Sequence, residues 1–268
     1  MNILDSIVAH KRTEVAGRKA AMPVSALEKS SFFYRPSFSL KAGLRDVDST
    51  GIIAEFKRRS PSKGVINDKV GVADVTRGYT AAGAVCLSVL TDERYFGGSD
   101  ADLVTARVNE IPILRKEFII EEYQVVEARA IGADVILLIA ACLTPAEVKR
   151  LAAFARGLGL EVLLEIHGED ELDHICDETA LVGVNNRDLK TFTVDIERSI
   201  RLSRRIPPGK LLVAESGIGE VRTIVRMKEA GFKGFLIGES FMKEADPAAA
   251  FRRLIGELKE CERHSIEK

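Results

Sequence analysis

The chain has 268 residues, of which 46% are hydrophobic and 29% are charged, so it can bury a large core. Its formal net charge of −1 argues against nucleic-acid or anionic-membrane binding as its main task, and we expect neither partner. No apolar run approaches the roughly 20 residues of a membrane helix. The amino terminus, Met1-Asn-Ile-Leu-Asp-Ser, lacks a signal-peptide pattern. We therefore expect a cytoplasmic protein.

The first 50 residues predict a helical extension. Apolar residues share one face of a helix predicted from residue 3 to about residue 19: Ile3, Leu4, Ile7, Val8 and Val15. A second short helix is predicted over residues 24–29, after Pro23, and residues 30–36 are irregular and aromatic. We interpret this aromatic segment either as an apolar clasp or as part of a site.

From Gly51 onwards, apolar strands alternate with helices. The predicted strands are residues 52–57, 84–90, 113–116, 135–139, 161–166, 181–185, 211–215 and 234–238, and the helices after them are 72–82, 100–109, 121–131, 145–158, 169–176, 196–205, 219–230 and 247–260. Eight such units suit a closed (β/α)8 barrel, whose typical size is roughly 250 residues. An open doubly wound sheet is less favoured, because no Gly-x-Gly-x-x-Gly fingerprint follows the first strand. We expect an α/β protein with one TIM-barrel domain over residues 1–268, in which 1–50 form the extension and 51–268 the barrel.

Polar side chains recur at the carboxyl ends of the predicted strands, where a barrel places its catalytic groups. They are Glu55 and Lys57, Thr91 and Asp92, Lys116, Glu165, Asn185, Asn186 and Arg187, Glu215 and Ser216, and Glu239. Alternate residues of a strand share one face, so Glu55 and Lys57 point the same way as the apolar Ile53. A solvated ion pair explains one such strand, but not a ring of them at one end of a barrel.

The last two strand ends carry glycines at the start of a loop or helix. Gly217 follows the seventh strand and Gly238 follows the eighth. Backbone N–H groups exposed there form an anion site, and barrels often bind a phosphate at this place. The sequence therefore predicts a phosphorylated small-molecule substrate.

The remaining polar groups suit acid–base chemistry. Lys116 and Glu165 can act as proton donor and proton acceptor across the pocket. A buried lysine can equally form a Schiff base, as in an aldolase, and the pattern alone leaves both uses open. A metal site is not expected, because His167 stands alone and the four cysteines lack metal-ligand spacing.

Seven motifs in order resemble the indole-3-glycerol-phosphate synthase family. They are Glu55-Phe-Lys57-Arg-Arg-Ser60-Pro-Ser-Lys-Gly64, Leu90-Thr-Asp-Glu-Arg-Tyr95-Phe96, Leu114-Arg-Lys116-Glu-Phe118, Leu164-Glu165-Ile-His167, Gly183-Val-Asn185-Asn186-Arg187, Ala214-Glu215-Ser216-Gly217 and Leu236-Ile-Gly238-Glu239-Ser240. The resemblance covers essentially the whole chain. It implies a TIM barrel that closes 1-(2-carboxyphenylamino)-1-deoxyribulose 5-phosphate to indole-3-glycerol phosphate, with loss of carbon dioxide and water. No cofactor or metal is implied, and we expect a monomer.

The resemblance also implies roles for the charged residues. Lys116 is the general acid and Glu165 the base, while Lys57 anchors the aromatic carboxylate with Arg187 as a helper. The remaining residues of the catalytic group, Glu55, Asn185, Glu215 and Ser216, hold the sugar hydroxyls and tune the lysines.

Substrate binding is implied for backbone and apolar groups. The phosphate is expected at Gly217, Gly238 and Glu239, with Ser60 or Arg59 closing over it. The aromatic ring needs an apolar wall, for which the candidates are Phe96, Phe118, Leu138 and the aromatic segment 30–36. The sequence departs from the family pattern at Glu117, where an Asp is more usual; by alternation, this side chain is expected to point away from the pocket.

Two other barrels remain alternatives to this reading. A phosphoribosylanthranilate isomerase-like barrel shares the phosphate site, but it needs a Cys and an Asp at strand ends, and Cys86 lies inside its predicted strand. A barrel that only binds a phosphorylated ligand would have no use for an acid and an amine facing each other.

Overall fold

Eight parallel strands close into a barrel in this computed structural model, which describes residues 3–188 and 193–266. The strands are β1 Ile52–Phe56, β4 Cys86–Leu90, β5 Ile113–Lys116, β6 Val135–Ile139, β7 Glu161–Ile166, β8 Leu181–Asn185, β9 Leu211–Glu215 and β10 Phe232–Ile237; β2 Arg59–Ser60 and β3 Gly64–Val65 form a separate hairpin after β1. Around the barrel the order is β1-β10-β9-β8-β7-β6-β5-β4. The predicted TIM barrel is confirmed.

Helices cover the barrel and precede it. They are α1 Ile3–Ala21, α2 Val24–Leu27, α3 Leu40–Arg45, α4 Val72–Ala81, α5 Glu93–Phe96, α6 Asp100–Ala106, α7 Glu122–Ala130, α8 Pro145–Gly157, α9 Ile196–Ser203, α10 Val221–Glu229, α11 Glu239–Met242 and α12 Pro247–Ile266. The segment predicted as a helix over 169–176 is instead a 3-10 helix, Glu169–His174. Its backbone bonds are of the i→i+3 type, such as Glu171 N–H to Gly168 O at 3.2 Å, and the Glu171 side chain also accepts from the backbone N–H of His167 at 2.5 Å. A second 3-10 turn spans Ala140–Cys142.

The strands are apolar on both faces because each face is covered. Residues such as Ile53, Leu137 and Leu163 fill the inside of the barrel. Their sequence neighbours, Leu138 among them, pack outward against the helices. Strict alternation along each strand is what directs the carboxylates and amines at the strand ends into one space.

The extension reaches both ends of the barrel. Helix α3 inserts Leu40 and Leu44 into the apolar cluster inside the barrel. Arg35 lies beside it and pairs with Asp134 at 2.6 Å, just before β6. Helix α1 lies at the opposite end, where its first residues border the cavity described below. Within the described residues, no helix combines the length and apolarity needed to cross a membrane.

Candidate active site

A cavity of about 360 Å³ opens at the carboxyl end of the barrel strands. Fourteen of the residues predicted for the site line it: Glu55, Lys57, Ser60, Phe96, Lys116, Phe118, Glu165, Asn185, Arg187, Glu215, Ser216, Gly217, Gly238 and Glu239. Parallel strands end at the same rim, so residues separated by up to 184 positions in the sequence meet in one place. No group of three or more His, Cys, Asp or Glu side chains suited to a metal ion occurs in residues 3–188 and 193–266.

Lys116 lies at the centre of the charged part of the cavity. Its Nζ is 2.8 Å from Glu215 Oε2 and 3.3 Å from Glu165 Oε2. Burial lowers the pKa of Lys116, but Glu215, Glu165 and Glu55 outweigh it and raise the pKa well above the ordinary value. The resting lysine is therefore an ammonium ion held between carboxylates.

Glu165 is held ionised by three neighbours. Its Oε1 accepts from Asn185 Nδ2 at 3.0 Å and lies 3.1 Å from His167 Nε2. Burial raises the pKa of Glu165, but Lys116 and His167 together lower it far below the ordinary range. His167 is itself an imidazolium: burial lowers its pKa, yet Glu165 and Glu171 raise it to about 10.

The pKa of Glu215 differs from that of Glu165, because the Glu215 carboxylate has fewer hydrogen-bond donors around it. Burial raises its pKa to about 7; the attraction of Lys116 opposes this shift and the repulsion of Glu165 adds to it. The two carboxylates beside Lys116 therefore differ in basicity, and Glu215 is the one that can hold a proton near neutral pH.

Gly183 on β8 provides the space that the Glu215 carboxylate occupies. A Cβ at this position would lie 2.1 Å from Glu215 Oε1. Nothing in the sequence distinguishes this glycine from an ordinary glycine in a strand, so its role was not predicted.

Gly183→Ala is expected to displace the Glu215 carboxylate and break its 2.8 Å contact with Lys116. We expect kcat to fall by at least about tenfold while the protein stays folded, because small displacements of reacting groups cost rate steeply. Steady-state kinetics and a thermal melt measure both quantities. Gly157→Ala on α8, where the added Cβ meets nothing within 4 Å, is the control and should keep full activity. A kcat for Gly183→Ala within twofold of wild type would contradict this account.

Lys57 and Glu55 form the second charged pair. Lys57 Nζ is 2.8 Å from Glu55 Oε1, and Ser88 Oγ donates to Glu55 Oε2 at 3.3 Å. Burial raises the pKa of Glu55, but Lys57 and Lys116 outweigh it and hold the pKa below the ordinary value. Glu55 thus links the two lysines electrostatically, while Lys57 faces the cavity.

The loops after β9 and β10 have the backbone geometry expected of an anion site. Ser216 and Gly217 both adopt the left-handed region, with φ of 67° and 70°. Helix α11 begins after Gly238 without a side-chain cap, so its first N–H groups are available to a ligand. A Cβ at Gly238 would lie 2.8 Å from Glu55, which shows how closely this backbone approaches β1.

Two cations lie beside this anion site. Arg187 Nη2 is 3.6 Å from Glu239 Oε2, and Lys63 Nζ is 3.7 Å from Glu239 Oε1. Ser60 borders the cavity together with Pro61 and Ser62. Arg59 was an alternative to Ser60, but it is exposed and does not line the cavity.

The apolar wall differs in part from the predicted one. Phe96 and Phe118 face the cavity with ring centroids 6.0 Å apart. The prediction that Leu138 forms part of this wall was wrong, because Leu138 points outward from the barrel. Its neighbours Leu137 and Ile139 line the cavity instead.

The aromatic segment 30–36 was also a wrong candidate for the wall. Its Phe33 packs against Val126 and Ala130 of α7, on the outside of the barrel, so the clasp interpretation is the correct one. The apolar residues that the extension contributes to the cavity come from α1: Ile3, Leu4 and Ile7.

Comparison with known proteins agrees with this architecture. The sequence pattern of the family "Indole-3-glycerol phosphate synthase" matches residues 4–254. A protein of that name from Bacteroides thetaiotaomicron is 47% identical over 255 residues, covering 95% of this chain and 98% of the relative. Another from Chromobacterium violaceum is 45% identical over 258 residues, covering 94% and 97%.

Solved structures share the fold at low sequence identity. The alpha subunit of tryptophan synthase from Legionella pneumophila has a TM-score of 0.62 at 14% identity and covers 82% of this chain and 97% of its own. A 3-hexulose-6-phosphate synthase from Salmonella typhimurium has a TM-score of 0.61 at 12% identity and covers 78% and 99%. These likenesses support the barrel, and the relatives at 45–47% identity support the family. The chain therefore belongs to the indole-3-glycerol phosphate synthase family, which consists of decarboxylating lyases of tryptophan biosynthesis.

Proposed function

We propose that this chain closes 1-(2-carboxyphenylamino)-1-deoxyribulose 5-phosphate to indole-3-glycerol phosphate, carbon dioxide and water, using the cavity at the carboxyl end of the barrel. The observation that carries the proposal is the Lys116 ammonium, held 2.8 Å and 3.3 Å from two buried carboxylates. An acid and two bases of unequal strength in one apolar-walled cavity are what a ring closure followed by dehydration needs.

Binding is proposed to fix the two charged ends of the substrate. The backbone N–H groups at Gly217, Gly238 and Glu239 hold the phosphate, and Ser60 approaches from the β2–β3 hairpin. Lys57 anchors the aromatic carboxylate. Arg187 pairs with Glu239, and this favours a place for its guanidinium beside the phosphate rather than beside Lys57. The aromatic ring lies against Phe96 and Phe118.

In the first chemical step, the ring carbon that bears the carboxylate attacks the ketone carbon, and the carbonyl oxygen accumulates negative charge. Lys116 donates its proton to that oxygen, which becomes a hydroxyl group. The carboxylate then leaves as carbon dioxide, and its bonding electrons restore the aromatic ring. Glu215, Glu165 and Glu55 keep Lys116 protonated before the step.

In the second step, Glu165 accepts the amine proton and passes it to the hydroxyl group, which leaves as water; a proton then moves from the neighbouring CH2 carbon to the nitrogen and completes the indole. We assign Glu165 as the base for the amine proton. Its low pKa depends on Lys116, so the loss of the lysine proton in the first step makes Glu165 more basic when it is needed. Asn185 holds the Glu165 carboxylate in place, and Ser216 is proposed to contact a sugar hydroxyl.

A Schiff-base aldolase is less well supported. A Schiff base requires a neutral amine, whereas the carboxylates around Lys116 raise its pKa and hold it protonated. The isomerase-like alternative lacks its thiol acid, because Cys86 is fully buried at the start of β4 and does not line the cavity.

The extension, residues 1–50, and the barrel, residues 51–268, are proposed to act as one domain. The contribution of α1 to the cavity wall supports this, as does the Arg35–Asp134 pair. We further propose that the enzyme works as a monomer in the cytoplasm.

The proposed reaction is tested by adding the carboxyphenylamino-deoxyribulose phosphate to the purified protein in the presence of a chelator. Indole fluorescence should rise together with an equal amount of carbon dioxide. Borohydride added during turnover should leave the protein mass unchanged. A covalent substrate adduct on Lys116, with no indole, would support the aldolase instead.

A further inference from the structure

A lysine lies in the middle of the buried face of α1. Ile7, Lys11 and Val15 are the buried residues of this helix, and Lys11 is 0% exposed. Its Nζ lies 2.9 Å from Asp92 Oδ2, 3.0 Å from Glu117 Oε1 and 3.0 Å from Glu14 Oε2. A buried ammonium with three carboxylates is costly to desolvate, so its position in the fold calls for a reason.

The two carboxylates from the barrel hold the backbone of the aromatic wall. Asp92 Oδ1 accepts from the N–H of Phe96 at 3.2 Å and caps the start of α5. Glu117 Oε1 accepts from the N–H of Phe118 at 2.8 Å. The backbone N–H of each of these two phenylalanines therefore donates to a carboxylate that contacts Lys11.

The Glu117 carboxylate has no contact with Lys116. Its second oxygen accepts from Thr91 Oγ1 at 3.0 Å, just after β4. Alternation predicted that Glu117 would point away from the pocket, but Glu117 lines the cavity; it is buried and joins α1 to the end of β5. Lys11 also stands four residues from Ile7, which lines the cavity, so one helix face contacts both the cavity and the two carboxylates.

We propose that Lys11 is a positioning residue for the aromatic ring of the substrate, because it fixes Asp92 and Glu117 and through them the backbone of Phe96 and Phe118. This inference rests on the proposed role of the two phenylalanines as the ring wall. Lys11 touches neither the substrate nor the reacting atoms; it acts through the two carboxylates.

The charges around this cluster keep Lys11 a cation. Burial lowers its pKa, but Glu117 and Asp92 outweigh that effect and raise it. The other charged groups near the cluster are Glu14, His10 and Arg18 on α1, Asp100 on α6, Arg115 on β5 and Glu127 on α7. On α1, the Lys11 ammonium is the group that contacts both Asp92 and Glu117.

Lys11→Met in the full-length enzyme tests the proposal at pH 8. We expect KM to rise by at least about fivefold and kcat to change by less than about threefold, since the wall contacts the ring before and during the reaction. The inhibition constant of inorganic phosphate should stay the same, because the phosphate site lies on the loops after β9 and β10. A general loosening of the fold would instead raise both KM and the inhibition constant of phosphate.

Without the ammonium, Asp92 and Glu117 are two buried carboxylates that repel each other, and this repulsion displaces the backbone N–H contacts of the wall. Lys11→Met combined with Glu117→Gln should show a smaller KM defect at pH 8, and this double variant carries the test if the single variant does not fold.

Lys19→Met is the matched control, because Lys19 lies on the same helix but is exposed and pairs with Glu121 at 3.1 Å. It should leave KM and kcat unchanged.

Phe96→Ala separates the proposed role of the phenylalanines as the ring wall from the proposed role of Lys11. If it leaves KM unchanged, the wall assignment fails. If it raises KM while folded Lys11→Met does not, only the role of Lys11 fails. A phosphate inhibition constant that weakens in step with KM would also overturn it, as would a double variant with Glu117→Gln whose KM defect equals that of Lys11→Met.

Discussion

Lys116→Met is expected to lower kcat by about a thousandfold, within the range that a positioned general acid contributes. The methionine fills the same space but has no proton to donate to the developing oxyanion. Substrate affinity should change by less than about tenfold, since the proposed phosphate and carboxylate anchors lie elsewhere. Indole fluorescence gives kcat, and calorimetry gives the dissociation constant.

Two further variants make the Lys116 result specific. Lys116→Arg keeps a positive charge but not a transferable proton, so it should be nearly as inactive. Lys228→Met removes a lysine that pairs with Glu262 on the outer helices and should be fully active. Turnover of Lys116→Met near the wild-type rate would remove Lys116 from the role of general acid.

Glu165→Gln is expected to lower kcat by about a hundredfold or more, because the amide keeps the shape but cannot accept the amine proton. It also removes the anion 3.1 Å from His167 Nε2, which helps raise the pKa of His167 to about 10. Losing this attraction must lower the His167 pKa, so the ring should begin to lose its proton at a lower pH. An NMR titration of the imidazole nitrogens follows this change.

Glu161→Gln is the control for this experiment. Glu161 lies at the opposite end of the same strand and bonds to Ser39 Oγ and the N–H of Lys41, far from the cavity. Its substitution should leave kcat and the His167 titration unchanged. A Glu165→Gln enzyme that keeps its turnover would assign the base to another group, of which Glu215 is the nearest.

The barrel and the charged residues of the site could be predicted because both follow from local rules. Apolar strands and helices alternate with a regular period, and side chains on a strand alternate between two faces. A carboxylate at a strand end, such as Glu165, thus reveals its direction without any knowledge of distant contacts. The same rule, counted from the inward-facing Leu137 and Ile139, places Leu138 on the outer face of the barrel, where it is found.

Contacts between distant segments could not be predicted in this way. The role of Gly183 depends on the position of Glu215 on the neighbouring strand. Lys11 stands in the apolar stripe between Ile7 and Val15, which marks it as unusual, but its partners become known only once α1 lies on the barrel. The short helices α5 and α11, of four residues each, are too brief for a periodic pattern.

A crystal structure of Lys116→Met with the substrate bound tests the proposed binding mode and the role of Lys116 together, because this variant should hold the substrate without converting it. We expect the phosphate on the N–H groups at Gly217, Gly238 and Glu239, and the aromatic carboxylate on Lys57. We also expect the aromatic ring against Phe118 and the ketone oxygen facing residue 116. A substrate bound in the reverse direction, or with its ketone remote from residue 116, would contradict the proposed binding mode.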